Sequence, residues 1–230
     1  MATSIGTNNG ARDAVLGRVR KALGATGDRA AANTEAERYI AAHTHGPRPA
    51  MPEDLLAKFM TRATDMQSTI ERVADRTLIP AAVARYVNAL ELPLALAAQK
   101  SHKGVCWPEF GDLDWKGVSL VIEARPTFGN DRLGITGTYC AIAETGTLVV
   151  LSGANTPTAT TLLPDTHIAV VRADRIVSGM EEAFALIRRE KGQLPRAINM
   201  ISGPSRTGDV EQTIVLGAHG PFRVHIVVVG

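Results

Sequence analysis

The stretch HIAVVR at residues 167–172, with its counterpart VHIVVV at residues 224–229, decides the fold. Each is apolar at consecutive positions rather than at alternate ones. A strand with one wet face alternates polar and apolar side chains, so a continuous apolar run implies burial on both faces. That is the pattern of a parallel sheet covered by helices.

On either side of these runs, strand-like and helix-like segments alternate. Residues 68–73, 94–98, 118–123, 147–151 and 197–201 read as further strands. Residues 81–90 and 178–190 read as helices. In the second helix Ser178 and Glu181 form an S-x-x-E capping box, and Met180, Phe184 and Ile187 recur on one face. Residues 131–144 are mixed and read as a helix with loose ends. Pro52 suits the first position of a helix running to about Thr64, with Leu55, Leu56, Phe59, Met60 and Ala63 as its apolar face. Strand–helix alternation of this kind predicts an α/β protein with a doubly wound, mostly parallel sheet. The expected domain, residues 53–230, follows an N-terminal helical region and linker, residues 1–52. Within that region residues 11–23 read as an amphipathic helix carrying Val15, Leu16, Val19 and Leu23. It either docks on the main domain, as most amphipathic helices do, or serves as an arm for a partner.

Composition narrows the class. A chain of 230 residues buries enough surface to need no covalent staple. Aromatics are only 4%, so the core is aliphatic and a base-stacking platform is disfavoured. The formal net charge is +2 and no run of Lys or Arg is long enough to track a phosphate backbone. The cysteines, Cys106 and Cys140, form no C-x-x-C pair and cannot supply the four thiolates of a usual iron–sulfur cluster. His43 and His45 lack a third ligand nearby, so no metal is expected. MATSIGTNNG lacks the basic and apolar regions of a signal peptide, and no apolar run approaches the roughly 20 residues that span a bilayer. A soluble cytoplasmic protein with two free thiols is the expectation.

Ligands of such sheets bind beyond the carboxyl ends of strands, and two loops carry suitable chemistry. In A-I-A-E-T-G-T-L-V-V, residues 141–150, Glu144 sits among small and apolar neighbours. Partial desolvation raises a carboxyl pKa unless donors stabilise the ion, which suits an acid, base or nucleophile. Thr145 adds a hydroxyl and Gly146 permits close backbone approach. The alternative is a Glu that caps local N–H groups in a tight turn. In I-S-G-P-S-R-T-G-D-V-E-Q, residues 201–212, Ser202, Gly203, Ser205, Arg206 and Thr207 offer hydroxyls, open backbone and a guanidinium to a carboxylate or phosphate oxygen. Asp209 and Glu211 would orient Arg206 or bind a substrate hydroxyl. A plain surface turn closed by an Arg206 ion pair is the competing reading. Neither a P-loop nor G-x-G-x-x-G occurs. His219, between glycines in G-A-H-G-P at residues 217–221, is a second acid–base candidate, or simply a turn histidine. His225 reads as a satisfied core residue. Residues 152–157 and 163–167 look like site walls or plain connections.

The segments A-E-T-G-T-L (143–148), L-P-D-T-H (163–167), S-G-P-S-R-T-G-D-V-E-Q (202–212) and G-A-H-G-P (217–221), in this order, resemble the LutC/YkgG family, the lactate utilization protein C group built on the LUD domain. The match is dense over residues 131–230. The resemblance implies a fold related to the NagB/RpiA/CoA transferase-like superfamily. It implies a component of a system that oxidises L-lactate to pyruvate, with iron–sulfur proteins as partners and no cofactor in this chain. The family gives no catalytic assignment for this component; from the residues themselves, Glu144 and His219 are the catalytic candidates. Thr145, Gly146, Ser202, Gly203, Ser205, Arg206, Thr207, Asp209 and Glu211 bind a small carboxylate or phosphorylated ligand in one pocket. A free-standing isomerase or acyl-CoA transferase-like enzyme is the alternative.

Overall fold

In a computed structural model, which describes residues 9–24, 29–90, 102–208 and 215–230, the chain divides into two units, residues 1–49 and 50–230. The first unit contains α1 (Asn9–Ala22) and α2 (Arg29–Ala42). Arg20 and Lys21 occupy the last turn of α1, where they complement the helix dipole. The apolar pattern of residues 11–23 marks α1. Helix α2 carries no such stripe and was not anticipated.

In the second unit the two apolar runs become β7 (Thr166–Arg172) and β12 (Arg223–Val229), the middle of a six-stranded sheet. They are joined by β1 (Thr69–Val73), β2 (His102–Cys106), β3 (Leu120–Ala124) and β4 (Leu133–Gly137), in the order β1-β12-β7-β4-β2-β3. Every pairing is parallel. Helices cover both faces. On one, α4 (Ile79–Ala89) brings Val83 and Val87 against Ile135, Ile168 and Val227. On the other, α3 (Leu55–Asp65) brings Phe59 and Ala63 against Ala169, Val171 and Ile226. The α/β doubly wound reading is therefore correct.

A second sheet, β8-β5-β6-β9, is built from β5 (Cys140–Ile142), β6 (Thr147–Leu151), β8 (Ile176–Val177) and β9 (Ile198–Ile201). Strand β6 runs antiparallel to β5 and β9. Its side chains alternate between two buried faces. Leu148 joins the α3 side, while Val149 and Leu151 pack under Ala183 and Ile187 of α5 (Met180–Lys191). A two-residue ribbon, β10 (Arg206–Thr207) with β11 (Val215–Leu216), completes the described elements.

Several expectations are corrected. Residues 131–144 form β4 and β5 rather than a helix. Glycines at 134 and 137 suggest a loose helix, but the sheet needs them for space: a Cβ on Gly134 would lie 2.7 Å from Pro164 Cγ, and one on Gly137 would collide with the Glu109 carboxylate. Strand β2 was missed, and the strand expected at 94–98 lies outside the described residues. Helix α3 begins after Asp54, whose Oδ1 accepts the Ala57 N–H at 2.9 Å, and not at Pro52. Gly179, in extended conformation, caps α5 in place of Ser178. Ala183, Leu186 and Ile187 are buried there, whereas Met180 is exposed.

Candidate functional site

Strands β5, β8 and β9 of the small sheet end on the same side, and their carboxyl ends deliver the loops singled out above. Glu144 lies half-buried in the turn from β5 to β6, and its backbone N–H donates to the Ser178 carbonyl at the end of β8, 3.0 Å away. The exposed Thr145 places Oγ1 2.6 Å from Thr147 Oγ1, which in turn lies 2.7 Å from Ser202 Oγ, beyond the end of β9. A chain of three hydroxyls thus ties the first loop to the second.

The glycines in these loops answer to the last turn of α3. Gly146 has φ +67, and a Cβ there would lie 2.6 Å from the Arg62 carbonyl carbon and 2.8 Å from Ala63 Cα. Gly203 has φ +79, and a Cβ there would overlap the Met66 carbonyl oxygen. Only glycine meets both demands, left-handed backbone and contact with another backbone. Their close approach is to the end of this helix. The α3 end is itself tightly closed: Met66 N–H donates to Arg62 O at 3.1 Å and Gln67 takes φ +67. Arg206 is exposed, and Nη2 reaches the Met66 carbonyl only at 3.4 Å, a weak hydrogen bond.

Ser205 belongs to a different neighbourhood. Its N–H donates to Pro221 O and its carbonyl accepts from Gly217 N–H, both at 2.9 Å. Its Oγ accepts the His219 N–H at 3.3 Å. This pins the turn before β12. There His219 lines an open cleft of about 1430 Å³ whose walls are mostly the amino ends of β2, β4, β7 and β12. Residues 163–166 also line it, so part of the L-P-D-T-H segment is a wall. Glu144, Ser202, Ser205 and Arg206 do not. The single pocket expected for all these residues is thus resolved into two places: a hydroxyl-rich seam holding Glu144, Thr145, Gly146, Ser202 and Gly203, and a cleft holding His219. Thr207 is half-buried and pairs with Val215 in the ribbon. Asp209 and Glu211 lie outside the described residues.

Relative to the six-stranded sheet, this cleft opens at the amino ends of β2, β4, β7 and β12, with Glu123 and Arg125 from the carboxyl end of β3 also lining it. The carboxyl ends of β1, β2 and β4 are closed by polar packing. Arg76 donates to Asp112 Oδ2 at 3.0 Å and to the Glu109 carbonyl. It holds the Asp112 carboxyl below the usual range. The Glu109 carboxyl is pushed up by burial against Gly137, opposed by Arg76 and the Gly137 N–H. Both cysteines are buried, and burial pushes each thiol up to about 11, which leaves the reactive thiolate scarce at neutral pH.

Two histidines are structural. His167 is fully buried, with Nε2 2.8 Å from Thr136 Oγ1, and burial pulls its pKa down to about 4. His225 stacks on Tyr86 with ring centroids 4.0 Å apart, and Nδ1 lies 2.8 Å from Thr69 Oγ1. Its Nε2 is buried with no hydrogen-bond partner, so His225 is satisfied at one nitrogen only.

The residues missed from sequence are the charged ones of the cleft. Arg125 donates to Asp131 through Nη2 at 2.8 Å and Nη1 at 3.0 Å, and to Glu123 Oε2 at 2.6 Å. This holds the Asp131 carboxyl below the usual range. Lys103, Arg132 and Arg223 also line the cleft. Each stands at or next to the first residue of a strand. That position is visible in sequence only once β2 and β4 are known to be strands.

Comparison with known proteins places the chain. The LUD domain model matches residues 111–229, just over half of it. A "Lactate utilization protein C" of Deinococcus radiodurans is 34% identical over 198 residues, covering 80% of this chain and 89% of that one. The proteins of the same name from Geobacillus sp. (strain WCH70) and Bacillus licheniformis are 41% and 36% identical, but over 43% and 54% of this chain. The chain spans only 42% and 53% of the length of those two. The crystal structure of a DUF162 family protein from Deinococcus radiodurans matches the fold with a TM-score of 0.51 at 24% identity, over 79% of this chain and 100% of that one. The dense C-terminal match and the near full-length Deinococcus relative together show that this chain belongs to the LUD-domain family, in its lactate utilization protein C (LutC/YkgG) group.

Proposed function

We propose that this chain is a cytoplasmic component of an L-lactate utilization system, in which L-lactate is oxidised to pyruvate together with iron–sulfur partner proteins. The observation that carries the reading is the Deinococcus relative named for lactate utilization, aligned over most of both chains. Oxidation of lactate removes two electrons and two protons, from the C2 carbon and its hydroxyl. In this reading the electrons pass to the clusters of the partners. This chain contributes substrate handling or assembly. Glu144 at the hydroxyl seam is its candidate proton acceptor, and Thr145, Thr147 and Ser202 beside it are candidate partners for the lactate carboxylate or hydroxyl. Among the described residues no helix is long and apolar enough to cross a membrane.

The test is lactate-dependent dye reduction in extracts of lactate-grown cells lacking this chain, with wild type or Glu144→Gln added back. Loss on deletion and rescue by wild type alone are expected. Rescue by both forms removes Glu144 from the chemistry. Full activity without the chain overturns the lactate reading and favours a free-standing enzyme.

A further inference from the structure

The amino-end cleft has a charge arrangement that the lactate reading does not use. Gly104 of β2 pairs with Leu133 of β4, so Lys103 and Arg132 stand side by side one register step earlier. Adjacent strands are about 5 Å apart, and like charges placed so close repel. Of the lining carboxylates, Glu123 and Asp131 are held by Arg125, while Asp165, whose backbone carbonyl accepts the Arg223 N–H at 3.0 Å, is not. On the far side of the cleft Arg223 lies over the Phe222 ring, 4.9 Å from its centroid. Among the described residues, Lys103, Arg132 and Arg223 form no ion pair, and Asp165 is the one lining carboxylate that Arg125 does not hold. A stability-driven surface would pair these charges across the strands. Here Arg125 instead sequesters two of the three lining acids, so three cations face the cleft with Asp165 as the remaining carboxylate.

The walls and the size narrow the ligand. Leu163 is 55% exposed and Phe222 44% exposed, and both line the cleft with Val121. Its volume of about 1430 Å³ exceeds the roughly 300–1,000 Å³ typical of small-ligand pockets, and far exceeds what lactate fills. We infer that the cleft binds a multiply charged phosphate ester of nucleotide size. Lys103, Arg132 and Arg223 take its phosphates, and Phe222, Leu163 and Val121 take its ring system. Arginine suits phosphate through its fork of donors, and a guanidinium stacked on an aromatic ring is already oriented. The inference does not depend on the role in lactate utilization.

The test is calorimetric titration of the purified full chain with ADP, with inorganic pyrophosphate and with L-lactate. ADP is expected to bind at least tenfold more tightly than pyrophosphate, with affinity falling as salt rises. The Lys103→Ala/Arg132→Ala double variant changes exposed side chains and is expected to lose at least tenfold in ADP affinity with a melting temperature no lower than that of wild type. Leu163→Ser is expected to weaken ADP but not pyrophosphate. Arg189→Ala, an exposed cation on α5, serves as the control and is expected to bind ADP as wild type does. No ADP binding at millimolar concentration overturns the inference, as does equal ADP affinity in wild type and the double variant. Pyrophosphate binding as tightly as ADP overturns the nucleotide-sized assignment. None of these outcomes bears on the dye-reduction assay, so the two readings fail separately.

Discussion

The two sheets of the second unit use the same aliphatic residues for different ends. The six-stranded sheet is a parallel layer whose central strands are buried on both faces, with its carboxyl ends closed by the Arg76–Asp112 pair and Glu109. The small sheet is short and mixed in direction, and its strand ends deliver the Glu144 and Ser202 loops onto the end of α3. The first is a scaffold. The second is a device for placing two loops side by side. The difference teaches that a motif dense in Gly, Ser and Thr can be specified by packing between elements as much as by a ligand.

The largest effect expected from this contrast lies in the scaffold. Ile168 is wholly buried at the centre of β7, between β4 and β12. Truncation of such a side chain costs transfer energy and leaves a cavity, together about 4 kcal/mol. Denaturant unfolding of Ile168→Ala is expected to show that loss. A loss below about 1 kcal/mol would mean the layer repacks freely and is not the rigid half of the pair.

Next in size is the junction of the small sheet with α3. Gly203→Ala forces a side chain into left-handed backbone and against the Met66 carbonyl. The two costs together amount to about 3 kcal/mol. If Gly203→Ala melts like wild type, the loop is free to move away from α3, and the packing account of this glycine fails.

How much of this was legible in sequence follows the same division. Strands β7 and β12 were legible because burial on both faces writes itself as an unbroken apolar run. Strand β4 was not, since Gly134 and Gly137 are demanded by Pro164 and Glu109, neighbours that only the fold supplies. Strand β2 was missed because His102-Lys-Gly-Val-Cys106 mixes charge and glycine in five residues. The loops around Glu144 and Ser202 were legible as special, and they do meet through Thr147. What glycine was doing in them was not legible, because a demand for close approach does not say what approaches. The cleft was the least legible feature. Lys103, Arg132 and Arg223 become a set only when parallel register aligns the strand starts.

A smaller and pH-dependent effect belongs to the scaffold again. His167 is buried uncharged, with a folded pKa of about 4 against 6.5 when free. The unfolded chain therefore takes up the proton first as pH falls. The stability associated with this group is complete above about pH 6.5 and is lost progressively toward pH 4. The loss is at most about 3 kcal/mol by linkage. His225 acts in the same direction, its pKa also lowered to about 4 by burial. Urea midpoints measured from pH 7 to pH 4 should fall steeply in wild type and less so in His167→Gln. An identical slope in the two proteins would show that His167 is protonated without unfolding.

The smallest expected effect on stability is the most informative about the seam. Thr147→Val keeps shape and removes the hydroxyl that bridges Thr145 and Ser202, each within 2.7 Å. The net worth of such hydrogen bonds is about 1 kcal/mol, and the exposed Thr145 recovers its loss from water. Stability should therefore drop by about 1 kcal/mol. In a double-mutant cycle with Ser202→Ala the coupling should be roughly 0.5–1 kcal/mol, as for residues sharing one network. If the hydroxyl chain only fastens the two loops, lactate-dependent activity in the add-back assay will follow stability and change little at a temperature where the variant is folded. If it orients ligand beside Glu144, activity will fall tenfold or more while the fold persists. A coupling near zero would break the seam as a unit.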